Sequence, residues 1–263
     1  MGRPHRHIDT DVDSFLKRDG FKILDLCCCS GVGVEQLVKK GFNVLGVDHV
    51  KPSFYPGTFL QADATQLDLT FMALFNFVTG SPPCQKFSRG TYVAQRNGKT
   101  YPDLLAPIRD LIKASGVPGV MENIPESGIR PDFMLCGSMF GLPQTRHRHF
   151  EAINWKPIYK RLYCDHTINK GKHHVLAGAF KGTIHDAAVS MGCDASRLRS
   201  EIKEGFPPAY LEFILNVFLA STQALNNHPG ISQVTGHLTS AQRLNNPLDL
   251  SHLPGHLTLN QLP

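Results

Sequence analysis

No stretch of the 263-residue sequence approaches the roughly 20 consecutive apolar residues that a membrane-spanning helix needs. The opening residues, Met1-Gly2-Arg3-Pro4-His5-Arg6-His7, lack the apolar stretch of a signal peptide. These two absences predict a cytoplasmic protein. No C-x-x-C pair occurs, so the common structural zinc signature is missing. The seven cysteines are odd in number, and Cys27, Cys28 and Cys29 are adjacent. Neither fact suits a secreted disulfide framework. Nor is there a G-x-G-x-x-G turn, or a basic residue beside the Ser30-Gly31-Val32-Gly33 turn to meet a pyrophosphate, which argues against a dinucleotide. Acidic residues are in deficit, 22 against 27 Lys and Arg, giving a net charge of +5 with 13 further His. That balance favours a polyanionic partner without establishing one.

What is present reads as one α/β domain, for which the length suffices. Residues 1–20 read as a leader helix or loop. Apolar runs at 21–26, 43–48, 58–63, 75–79 and 119–123 read as strands. Residues 34–40, closed by Gly41 with lysines in the last turn, and 104–114 read as helices. Strands alternating with helices predict a doubly wound, mostly parallel sheet. Asp25 ends the first strand, Ser30-Gly31-Val32-Gly33 turns into a helix, and Asp48 ends the second strand. This is the layout of a nucleoside ligand lying across strand ends, with the second acid on the ribose. With no basic residue for phosphates, S-adenosylmethionine fits better than a dinucleotide. Asp63 is placed to accept from an adenine amino group.

Three further stretches carry chemistry. Ser81-Pro82-Pro83-Cys84-Gln85 follows the fourth strand. Two prolines force the backbone out of the sheet as a stiff loop, and Cys84 is the first residue beyond it. As a thiolate it would be a positioned nucleophile. Glu122, at the end of the fifth strand, would have its pKa raised by burial and could share a proton with a substrate nitrogen. In Gln144-Thr145-Arg146-His147-Arg148, the alternating arginines would point to one side of an extended strand. Lys86, Arg89, Arg96 and Lys99 follow Cys84 as a basic cluster. Cys164 and His166 suggest a metal, but no second pair stands near them in the sequence, and no metal site is expected.

Taken together, Asp25-Leu26…Gly31, Val47-Asp48, Asp63, Ser81-Pro82-Pro83-Cys84-Gln85, Glu122-Asn123-Ile124 and Gln144-x-Arg146-x-Arg148 resemble the DNA cytosine-5 methyltransferases, in that family's order over roughly residues 23–150. Residues 135–142 and 206–210 resemble a short subgroup associated with phages and prophages. The resemblance implies a Rossmann-like S-adenosylmethionine-dependent fold. It implies that Cys84 attacks C6 of a flipped-out cytosine, that Glu122 holds N3 and the exocyclic amine, and that Arg148, backed by Arg146, orients the base at O2. It also implies cofactor contacts from Asp25, Leu26, Cys27, Ser30, Gly31, Asp48, His49, Asp63, Ala64 and Pro83, and DNA contacts from Gln85, Ser88, Arg89 and Gln144. The expected partner is double-stranded DNA, the chain acting as a monomer in a bacterial or phage-infected cell.

The sequence departs from the family at Cys27 (usually an aromatic) and at Cys29 and Val32 (usually glycines). The family's Gly-Asn-Ser-Val stretch is replaced by Gly205-Phe206-Pro207-Pro208-Ala209-Tyr210. The organisation expected is a catalytic and cofactor-binding core at 1–155, a reduced target-recognition region at 156–190, helices completing the core at 191–220 and a flexible tail at 221–263. Two other readings remain open: an RNA cytosine-5 methyltransferase, and a DNA-binding homologue that has lost catalysis.

Overall fold

Side chains alternate between the two faces of a strand, so a sheet covered on both sides needs apolar residues at successive positions. The central strands meet this requirement. In the computed structural model, which describes residues 8–167 and 182–226, with side chains described as far as Thr222, seven strands form one sheet. They are β1 (Lys22–Leu26), β2 (Asn43–Asp48), β3 (Thr58–Gln61), β4 (Phe77–Gly80), β5 (Gly119–Asn123), β6 (Phe133–Leu135) and β7 (Arg148–Ile153). The helices are α1 (Val12–Leu16), α2 (Glu35–Lys39), α3 (Leu69–Met72), α4 (Tyr92–Arg96), α5 (Leu105–Ser115), α6 (Ile184–Met191), α7 (Arg199–Glu204) and α8 (Pro208–Asn226).

The strand order is β3-β2-β1-β4-β5-β7-β6, with β1 to β5 parallel and β7 antiparallel to both neighbours. Ile23, Val44, Phe77 and Val120 pack in one apolar cluster with Leu37 of α2 and Tyr210, Leu211 and Ile214 of α8. Their neighbours Leu24, Leu45, Val78 and Met121 pack in another with Phe15, Met72, Ile108 and Ile112 of α1, α3 and α5. This is a doubly wound, mostly parallel α/β sheet. α6 and α7 pack Ala187, Ala188, Met191 and Ile202 onto Val32, beside the turn after β1. No helix among the described residues is long and apolar enough to cross a membrane.

Two boundaries move. α8 runs without a break from Pro208 to Asn226, so the division expected after residue 220 falls inside a helix; its apolar residues between 210 and 219 fill the core, and nothing at 220–221 breaks helical propensity. Arg146 is not in a strand, since β7 begins at Arg148. Met1–His7, the tail beyond Asn226, and Lys170, Lys172, His173, His174 and Lys181 of the expected recognition region lie outside the described residues.

Candidate active site

Strand order reverses between β1 and β4, which opens a crevice outside the carboxyl ends of the strands. Asp25, Asp48, the Ser81–Cys84 loop and Glu122 all sit at those ends.

The turn after β1 is built from unusual backbone. Cys27, Cys29 and Gly31 have φ of 54°, 46° and 65°. Left-handed conformation at a residue with a Cβ costs roughly 1–2 kcal/mol, so the turn holds strain at both cysteines. Its surroundings fix it. Cys28 N–H donates to the Val47 carbonyl at 3.3 Å, and Cys29 N–H donates to Asp48 Oδ2 at 3.0 Å. A Cβ at Gly31 would lie 2.6 Å from the Tyr55 ring, so no larger residue fits there. From the far end of the chain comes Arg197, fully buried, whose Nε donates to Glu35 Oε2 at 2.6 Å and whose Nη1 donates to the Ser30 carbonyl at 2.8 Å. Tyr55 donates to Asp25 Oδ2 at 2.9 Å. Burial, opposed by that bond and reinforced by the Asp48 charge, raises Asp25 to about 7. Asp25 is therefore held inside by Tyr55.

Asp48 accepts from Cys29 N–H and Val50 N–H, and its Oδ1 lies 3.0 Å from His49 Nδ1. A carboxylate offers about four acceptor positions, so two backbone donors leave capacity for ribose hydroxyls. Asp63 lies just past β3 and caps the following turn by accepting from Thr65 N–H and Oγ1. Ala64 is buried in that turn. The side chains offered there, Asp48 and Asp63, are acidic and hydroxyl-seeking, and the arginine at the turn, Arg197, is fully buried and bonded to Glu35 and the Ser30 carbonyl. This set fits a nucleoside with a cationic or neutral tail.

Cys84 is partly buried at the end of the Pro-Pro loop. Asn123 of β5 donates its amide to the Pro82 carbonyl at 2.9 Å, so the loop that carries the thiol is tied to the strand that carries the acid. Glu122 is buried and bonded to Arg148 Nε at 2.8 Å. Burial raises the Glu122 pKa against the opposing pull of Arg148 and Arg146. Burial and the Glu122 charge likewise raise Cys84, while Arg148 and Arg146 lower it. Arg146 donates to the Lys203 carbonyl at 2.5 Å, and its own carbonyl accepts from Tyr210 at 2.6 Å. The Phe206–Tyr210 stretch thus seats the arginine loop. Among the other thiols, burial and Asp48 push Cys29 up to about 12. Cys136 departs downward: burial raises it, but hydrogen bonds with His147, Ser138 and His166 outweigh this and bring it to about 6.

Gln144 corrects an expectation. It is fully buried, with its amide nitrogen 3.2 Å from Met191 Sδ and its side chain packed on Gly137, and so has no access to DNA. Gln85, Ser88 and Arg89 stay at the surface or near it, on the segment that continues through α4. Thr91 Oγ1 and Gln95 Nε2 both donate to the Gln85 carbonyl, and Ser88 caps the turn before α4. Arg89 is exposed, 3.6 Å from Glu126. Tyr92 and Val93 are also exposed there. The sequence reading missed Arg197, Tyr55 and the role of Asn123. Arg197 carries no local signal, because its partners lie more than 160 positions away.

No family model matches the chain. No curated protein matches it. Solved structures do match in part. One, described by the conversion of a disulfide bond into a thioacetal group during echinomycin biosynthesis, aligns at 19% identity with a TM-score of 0.29, over 46% of this chain and 52% of that one. A TehB-like SAM-dependent methyltransferase from Corynebacterium glutamicum aligns at 19% identity and TM-score 0.27, over 45% and 62%. The glycopeptide N-methyltransferase MtfA, complexed with S-adenosyl-L-methionine, aligns at 15% identity and TM-score 0.24, over 60% and 73%. The chain spans about half to two thirds of the first of these structures that it matches. Likenesses this partial say nothing about chemistry, which rests on the residues above.

Proposed function

We propose that the chain is an S-adenosylmethionine-dependent methyltransferase acting on C5 of cytosine in DNA. The observation that carries this reading is the meeting, at one crevice, of a thiol on a stiff proline loop with a buried Glu122–Arg148 pair, locked together through Asn123 and Pro82. The methyl donor supplies one electrophilic carbon, and Asp48 and the Cys27–Gly31 turn are the residues that would hold it. The chain's own groups prepare the base.

A base flipped from the duplex presents N3 and the exocyclic amine to Glu122. Burial favours a protonated Glu122, and a proton shared with N3 draws electrons from C6. Cys84 adds at C6 as a thiolate, which divides a difficult substitution into two easier steps. A protonated Glu122 carries no negative charge to raise the Cys84 pKa and leaves the two arginines that lower it. Acid and nucleophile are thereby coupled: the thiolate is easier to form while Glu122 holds its proton. After methylation, a water molecule takes the C5 proton, the C5–H electron pair re-forms the C5–C6 double bond, the Cys84–C6 bond breaks to release the thiolate, and N3 returns its proton to Glu122. The exposed 85–99 segment, with Lys86, Arg89, Arg96 and Lys99 beside Tyr92, suits a loop that closes on a phosphate backbone.

The test is covalent trapping. Duplex DNA containing 5-fluorocytosine, offered with S-adenosylmethionine, should give a protein–DNA adduct stable to denaturant and lost in Cys84→Ser. Adduct formation on an RNA substrate but not on duplex DNA would replace the DNA reading with the RNA one. No adduct on either would end the cytosine-5 assignment.

A further inference from the structure

Outside the crevice, four metal-ligating side chains converge. β6 and β7 pair antiparallel, with Leu135 opposite Arg148. One step further along the same register come Cys136 and His147. The chain after β7 then folds back. Trp155 donates to the Gly119 carbonyl at 2.8 Å, and Tyr159 donates to the Asp132 carbonyl at 2.8 Å while its ring stacks on Phe133. That path delivers Cys164 and His166 to the same spot. Cys136 Sγ lies 3.4 Å from His166 Nε2, and Cys164 Sγ lies 3.6 Å from His147 Nε2. All four ligand atoms lie within 4.8 Å of one another.

A tetrahedral zinc with Zn–S of about 2.3 Å and Zn–N of about 2.0–2.1 Å sets adjacent sulfur and nitrogen ligands about 3.6 Å apart. Both cross-pairs here match that edge. We propose that Cys136, His147, Cys164 and His166 form a structural Cys2His2 zinc site. Two thiolates and two neutral imidazoles give a closed shell of zero net charge around a divalent ion, with the thiol protons released to solvent on binding. Soft thiolates paired with imidazole favour zinc over the oxygen-seeking magnesium, calcium and manganese. Ser138 Oγ donates to Cys136 Sγ at 3.4 Å, an outer hydrogen bond of the kind that orients a metal ligand.

The proposed site departs from the expectation of no metal. The second pair absent from the sequence beside Cys164 and His166 is supplied from 17 and 28 positions upstream by the β6–β7 register. Its place gives it a task. His147 stands between Arg146 and Arg148, and Cys164 and His166 lie within the 156–190 segment. Zinc would clamp that segment to the arginine strand. The inference stands whatever reaction the crevice performs.

The full chain, expressed with zinc supplied and dialysed, is assayed for metal by mass spectrometry, then stripped and titrated with cobalt(II). Expected are one zinc per chain, visible d–d and thiolate charge-transfer absorption of tetrahedral cobalt, and a fall in Tm on chelation. Cys164→Ser and His166→Ala, which alter the two ligands carried by the chain after β7, should lose most of the bound zinc and the tetrahedral cobalt spectrum. A wild-type chain that takes up neither metal overturns the proposal, and so does zinc content unchanged in both variants, which would locate the metal among other histidines. Should either variant fail to fold, the cobalt spectrum of the wild-type chain decides, since an octahedral, thiolate-free spectrum refutes the site.

Discussion

Replacing Arg197 with Met tests how the turn after β1 is held. The substitution keeps much of the aliphatic stem and removes the guanidinium. Glu35 loses its 2.6 Å partner, the Ser30 carbonyl its 2.8 Å donor and the Gly31 carbonyl a longer one at 3.4 Å. Breaking a buried ion pair by deleting one partner costs about 3–5 kcal/mol, because the other charge remains buried. Glu35 retains Lys39 at 2.6 Å and the Asp194 N–H at 3.0 Å, so the lower end applies, and the expected loss is about 3 kcal/mol. That is a large part of the roughly 5–15 kcal/mol that keeps a domain folded. Adding Glu35→Gln removes the charge that Lys39 alone then balances, and the double variant should recover part of the loss. Urea unfolding at fixed pH measures both. A single variant within about 0.5 kcal/mol of wild type, the range of an ordinary surface change, would refute the account. A double variant no better than the single would show that the stranded charge is not the cause.

Cys84→Ser should abolish methylation of duplex DNA, read by bisulfite sequencing, while duplex binding survives, because only the covalent step needs the thiolate; turnover by the serine variant would end the proposed mechanism. Asp25 has its pKa raised from 3.8 to about 7, so the folded state holds its proton more tightly than the unfolded chain. The stability this confers is full below about pH 4 and is lost as pH rises through about 7, up to about 4 kcal/mol in all. Asp25→Asn should therefore flatten the fall in stability between those limits and exceed wild type at pH 8; parallel pH profiles for the two proteins would contradict this. Cys29 is exposed with φ of 46°, so Cys29→Gly should relieve about 1–2 kcal/mol of strain against roughly 0.5–1 kcal/mol of added chain entropy. A rise in Tm of about 1–3 °C is expected, and a fall would show that the sulfur makes contacts worth more than the strain. If the short segment after β7 supplies all the base readout, one or two contacts of roughly 1–3 kcal/mol each limit recognition to about two to four base pairs; methylation mapping that gave a strict six-base site for the purified single chain would rule this out.

The five parallel strands were legible because each is a short apolar run closed by a turn or a polar residue, and the bounds of β5 match the expected 119–123 at both ends. The Cys84 loop was legible because two prolines admit few backbone paths. What the sequence concealed is made by contact between distant segments. Gln144 is polar and sits in a motif full of charge, yet Met191 and Gly137 close over it. Arg146 matches an alternating pattern, but the strand begins two residues later and Lys203 and Tyr210 hold the arginine instead. The Cys136–His147 pairing depends on the β6–β7 register, which no local spacing reveals.

The dependence of the β1 turn on late residues bears on how the chain is made. Ser30, Gly31 and Glu35 are locked by Arg197, Gly33 is packed beneath Phe206, and Val32 lies against Gly205. During translation at about 5–20 residues per second, the turn would leave the ribosome on the order of ten seconds or more before the segment that secures it. For that interval β1, β2 and β4 can associate and Val47 and Asp48 can accept from the Cys28 and Cys29 N–H groups, but the Ser30 and Gly31 carbonyls and the Glu35 carboxylate lack Arg197. A nascent chain stalled before residue 197 would thus carry Cys84 and the β1 turn without the contacts that Arg197, Gly205 and Phe206 add to that turn.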